Sequence, residues 1–168
     1  MANLLLCRND ASQNFNLALL KYEANIIAAA QSVHSVPDIL AHVLYYILNM
    51  SKPKIDEINI KNISCKIPDS IFKENLGSLQ SSAEYKYLLA FVNTTKHRRI
   101  VPTRYAVPLF TNQHGLVFQN FVHKDLPCAE KTADSFLEEI VSLMNQFVCL
   151  GNSLNELLFV ESRYKANP

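Results

Sequence analysis

Apolar residues recur in alternating steps of four and three over much of this chain. Between Gln13 and Val33 they fall at Phe15, Leu19, Tyr22, Ile26, Ala29 and Val33, the spacing that stacks side chains on one face of a helix. Ala24, Ala28 and Ala30 add helix propensity, and the segment predicts a helix of about five turns. The next stretch, "HSVPDIL", offers Ser35 as a cap and Pro37 as a first-turn residue. Ile39, Leu40, Val43, Leu44, Ile47 and Leu48 then predict a second helix over about 36–49. The alternative is one long helix kinked at Pro37.

Residues 51–68 change period. Ile58 and Ile60, then Ile63, Cys65 and Ile67, alternate between Pro53 and Pro68, which predicts an irregular connection with one short strand. Asp69 is placed to cap a short helix running to about Leu79, and Ser81 and Ser82 break it. A helix over about 82–99 follows, with Tyr85, Leu88, Leu89 and Val92 as its buried stripe. "RYAVPLF" and "GLVFQNF" flank the turn-like "TNQHG" and predict a β-hairpin, with Pro102 and Pro108 marking an edge. The clearest pattern is the last. Leu137, Ile140, Met144, Phe147, Gly151, Leu154 and Leu158 follow a seven-residue repeat that predicts a long helix packed along another. Gly151 on that stripe either admits a close partner helix or ends the helix early.

These elements predict a mainly α fold: an up-and-down bundle of four to five helices, with a β-hairpin (about 100–123) inserted before the long C-terminal helix. At 168 residues and 19.0 kDa the chain has the size of a single domain, 1–168. Apolar residues are 49% and charged residues 18%, enough for a packed core and too apolar for disorder. The net charge of +1 argues against a dedicated nucleic-acid binder, which carries a large cationic excess. No stretch reads as a signal peptide or a membrane span, so the expectation is a cytoplasmic protein. Cys7, Cys65, Cys128 and Cys149 form no C-x-x-C pair, which predicts reduced, mostly buried thiols.

Chemistry concentrates in "FVNTTKHRRIVPTR", residues 91–104. Asn93 and His97, four apart on a helix, share a line at the edge of the apolar stripe. Lys96, Arg98, Arg99 and Arg104 gather positive charge where the helix ends. Cations in a last turn oppose the helix dipole and satisfy free carbonyls, which is a structural role. The same groups could bind a phosphodiester, with His97 as general acid/base, Arg98 or Arg99 stabilising developing charge, and Lys96, Arg99 and Arg104 holding the anion. A long N-terminal helix pair, a later helix with Asn and His four apart and a long C-terminal helix resemble the HEPN superfamily, which includes ribonucleases of toxin–antitoxin and antiviral systems. The family signature R-N-x-x-x-H aligns with Val92-Asn93-Thr94-Thr95-Lys96-His97, so Val92 stands in the arginine's place. A valine neither donates a hydrogen bond nor carries charge. "AFVNTTKHRR" also resembles segments of bacterial helical proteins carried on mobile gene cassettes.

The resemblance, with Val92 in the arginine's place, leads to the expectation of a HEPN-like interaction or regulatory protein in a defence or toxin–antitoxin setting, without catalysis. Its competitor is a metal-independent ribonuclease using His97. The surplus of apolar helix surface, at the last helix and at Phe15, Leu19, Tyr22 and Ile26, predicts a homodimer. RNA or another anion is the candidate second partner. His34, Asp38 and His42 are spaced four and four, but Pro37 is expected to interrupt their line, so neither metal nor cofactor is predicted. His114 and His123 read as surface residues. Only three glycines occur, and they form no phosphate loop.

Overall fold

In the computed structural model, residues 2–49, 58–67, 70–97, 100–107 and 114–165 are described; for 2–11, His97 and 157–165 this holds for the backbone alone. The fold is mainly helical, with a small antiparallel β region before the C-terminal helix. The helices are α1 (Ala2–Ile47), α2 (Ile60–Ser64), α3 (Ile71–Ser81), α4 (Ala83–His97) and α5 (Ala133–Lys165). The strands are β1 (Thr103–Ala106), β2 (Gly115–Phe118), β3 (Phe121–His123), β4 (Leu126–Cys128) and β5 (Lys131–Thr132).

The predicted pair of N-terminal helices is one helix, α1, which runs through Pro37. Ser35 does not cap a new helix, because its hydroxyl donates back to the Ser32 carbonyl at 2.7 Å. A proline removes one helical hydrogen bond, but Pro37 is buried, and the surrounding Val33, Ala41 and Leu44 are buried too. Packing of the helix face on both sides of the proline outweighs the single lost bond.

The strand expected within 51–68 is also corrected. Residues 51–57 and Pro68 lie outside the described residues, and the remainder contains α2. Ile60, Ile63 and Ile67 are buried while Cys65 is exposed, so the true spacing is three and four rather than two. Asn59 stops the strand by capping: its side-chain oxygen accepts from the Asn62 amide at 3.0 Å. Asp69, the expected cap of the next helix, also lies outside the described residues. Ser70 caps α3 by accepting from the Lys73 amide at 3.3 Å. Ser82 ends α3 and accepts from the Tyr85 amide at 3.2 Å in the first turn of α4, so the predicted serine break is one residue serving two helix ends.

The predicted hairpin is present. β1 pairs antiparallel with β2, Thr103 opposite Phe118 and Ala106 opposite Gly115. Pro108 and the "TNQ" of the turn lie outside the described residues. β1 is an outer strand, as expected, in a sheet ordered β1-β2-β5. The β3–β4 hairpin and the short β5 were not foreseen. Lys124 and Asp125, both with positive φ, form the two-residue turn between β3 and β4, the backbone shape that matches strand twist.

The chain gathers into two compact units: residues 1–31 with 90–138, and 32–89 with 139–168. In the first, four aromatic rings form the centre. Phe91 meets Phe136, Phe118 and Phe121 edge-on, with centroids 4.7, 5.0 and 6.2 Å away. Tyr22 on α1 donates a hydrogen bond to Asp134 at the start of α5, and Thr103 on β1 donates to Glu23 at 3.2 Å. In the second, buried Ile63, Phe72, Leu76, Leu79, Leu88 and Leu143 supply the core, and Tyr85 packs edge-on against Phe147.

The hydrogen bond to Asp134, then burial, pushes the Tyr22 phenol up to about 12. Burial, then the Asp38 carboxylate, does the same to Tyr85, also to about 12. In both cases the folded state favours the neutral phenol. Their contribution to stability is therefore complete below the ordinary value of 10.0 and lost as pH rises through about 12. Ultraviolet titration of the native protein should show two tyrosines ionising late, and denaturant should return both to near 10.0.

Along α5 the buried positions are Ala133, Phe136, Ile140, Leu143, Phe147, Leu150 and Leu154. The expected stripe shares Ile140, Phe147 and Leu154 with this set but departs at the alternate positions: Leu137 and Gly151 are half-exposed and Met144 is exposed. Leu158's side chain is outside the described residues. Each heptad holds two adjacent apolar residues, and the core selects the first of them. Gly151 neither ends the helix nor meets a neighbour; a Cβ there would face open space. The thiols are free but not buried, since Cys65 and Cys149 are exposed and Cys128 is half-exposed; Cys7's side chain is outside the described residues.

Candidate functional site

The stretch singled out in the sequence forms the last two turns of α4 and the approach to β1, all in the first unit. α4 buries a wider arc than its apolar stripe implied: Tyr85, Tyr87, Leu88, Ala90, Phe91, Val92 and Thr94. Val92, at the position of the HEPN arginine, is 0% exposed. Asn93 is half-exposed and Lys96 is exposed. Thr95 turns its hydroxyl onto the helix, donating to the Phe91 and Val92 carbonyls at 3.1 Å, so it is occupied locally.

His97 is the last residue of α4, four residues on from Asn93 as expected. Its side chain, and all of Arg98 and Arg99, lie outside the described residues. Arg104, on β1, is engaged: its guanidinium donates to both carboxylate oxygens of Glu130, at 3.1 and 3.2 Å. Both partners are solvent-exposed, which makes the pair a modest contributor to stability.

Two groups the sequence did not single out come together here. Thr94 is 1% exposed, and its hydroxyl lies 3.4 Å from Nδ1 of His123 on β3. His123, expected at the surface, is half-buried. Thr94 precedes His97 by three residues, adjacent on the helix surface. No local signal marks this pair, because β3 was not foreseen and the partners are 29 residues apart.

His34, Asp38 and His42 follow an unbroken helix after all. Even so, among the described residues no group of three or more His, Cys, Asp or Glu could hold a metal ion; residues spaced four and four span two turns, about 12 Å. Among the same residues no helix is long and apolar enough to cross a membrane. No family model, no curated protein and no solved structure matches the chain.

Proposed function

We propose that this protein is a non-enzymatic helical interaction protein, HEPN-like in its plan and acting through assembly with a partner rather than through turnover of a substrate. The observation that carries the reading is the burial of Val92. Ribonuclease chemistry of the HEPN type needs a cation beside the histidine to meet the phosphate charge. Here the position that would supply it points into the core, where an unpaired charge is strongly disfavoured. Arg104, a candidate anion ligand, already has a carboxylate partner. A homodimer, a cytoplasmic location and a defence or toxin–antitoxin setting belong to the same reading.

One observation favours the competing ribonuclease. His123 is held against Thr94, one turn before His97 on α4, and a general acid and a general base are the two roles that a pair of histidines can fill. A panel of single-stranded, hairpin and transfer RNAs separates the readings. Purified wild-type protein is expected to leave the panel intact, with His97→Ala and His123→Ala indistinguishable from it. Cleavage by wild type that falls about 10²–10⁴-fold in His97→Ala would replace the interaction reading with the enzymatic one.

A further inference from the structure

We propose that α5 pairs with α5 of a second copy of this chain, antiparallel, about a two-fold axis level with Gln146. The inference rests on the interaction reading above and names its partner and face. On α5, Val141, Met144 and Val148 are 52%, 42% and 49% exposed, and each directly follows a buried residue of the core stripe, Ile140, Leu143 or Phe147. The helix therefore carries a second heptad stripe beside the first, the pattern of a helix that packs on two sides. All three lie in the 139–168 part of the second unit.

The charge pattern indicates what covers this stripe. From Ile140 to Asn155 the helix contains no Asp, Glu, Lys, Arg or His, a length of about 24 Å. Its exposed positions beyond the stripe are Ser142, Asn145, Gln146, Cys149, Asn152 and Asn155. Charge reaches the exposed faces elsewhere at Lys21 and Asp38 on α1, Glu74 on α3, and Glu84, Lys86 and Lys96 on α4; the uncharged exposed stretch of α1 beyond Asp38, Ile39 to Tyr46, is shorter than that of α5. Depletion of charge with retention of Met and aliphatic residues marks the centre of an interface rather than a solvated face. A neutral face offers nothing to select an oppositely charged partner and meets its own copy without repulsion.

The stripe is also its own mirror under a two-fold. With the axis level with Gln146, Met144 lies over the partner's Val148, and Val141 over the partner's Gly151. Gly151 has open space where its Cβ would be, which lets the facing valine approach the helix backbone. Every contact is made twice, as an isologous interface requires. About four turns of helix bury less than the ~800 Å² per partner of a standard interface. The dimer is therefore concentration-dependent.

Sedimentation equilibrium tests this. Wild type should shift from 19.0 kDa to twice that mass as concentration rises through roughly 10–100 µM, with no weakening at high salt. Met144→Glu and Val148→Glu, both at exposed positions and checked for unchanged circular dichroism, should each weaken the dimer at least tenfold. Val43→Glu, on the exposed Ile39, Val43 and Tyr46 of α1, should leave it intact. A 19.0 kDa species throughout, a dimer that survives both α5 substitutions, one lost in Val43→Glu, or one dissolved by salt would each overturn the proposal. RNA cleavage is measured separately, so a monomer that cuts nothing removes only this interface, and a dimer that cuts RNA removes only the non-enzymatic reading.

Discussion

Restoring the HEPN arginine by Val92→Arg is expected to unfold the protein partly rather than to create a ribonuclease. Val92 is 0% exposed, and Phe91 before it and Thr94 two residues after it are buried as well. A guanidinium placed there loses its hydration, and the buried Thr94 hydroxyl two residues on is already 3.4 Å from His123. The cost of a buried charge without a partner is more than about 3 kcal/mol, out of a total stability of about 5–15 kcal/mol. For a chain of this length that lowers Tm by roughly 6–12 °C. Asn93→Arg, at a half-exposed position on the same turn, should fold normally and so controls for the added charge. Thermal scans check both variants. A Val92→Arg protein with wild-type Tm and new RNA cleavage would mean that the arginine's position is open to substrate, contrary to the burial of the valine.

A loss of similar size is expected from Phe91→Ala. The ring is fully buried and meets Phe136, Phe118 and Phe121 edge-on; Phe118 and Phe136 in turn meet each other at 5.9 Å. Removing a buried phenylalanine costs about 3–5 kcal/mol in lost transfer energy and cavity. Edge-to-face pairs add about 0.5–1.5 kcal/mol each beyond buried area, which places the value toward the upper end. Phe91→Leu keeps most of the volume and loses only the ring geometry, so it should cost less than half as much. Urea unfolding gives both values. Hydrogen exchange should show the loss concentrated in β2 and the first turn of α5, where Phe118 and Phe136 lie. An alanine variant within about 1 kcal/mol of wild type would show that the aromatic centre collapses to fill the gap.

Local pattern sufficed wherever one element's own residues decide its state. The period of three and four foretold α4 and α5, and alternation with turn residues foretold β1 and β2. The serine break between α3 and α4 was legible because a hydroxyl caps an amide three residues away. The spacing of Asn93 and His97 was legible too, since it is a property of any helix that contains them. Tertiary packing decided the rest. Pro37 stays inside α1 because buried residues on either side hold the helix against the loss of one hydrogen bond. Ile60, Ile63 and Ile67 can be read with period two or with the helical spacing, and Asn59 together with burial selects the helix. On α5 two apolar stripes lie side by side, and only the partners across the core determine that Leu143 turns inward and Met144 outward. The same holds at α4. The sequence names Val92 as a departure from the HEPN motif, but the packing of the arc around Phe91 makes that position core, and the fold of β3 brings His123 to Thr94 across a separation that no local spacing records.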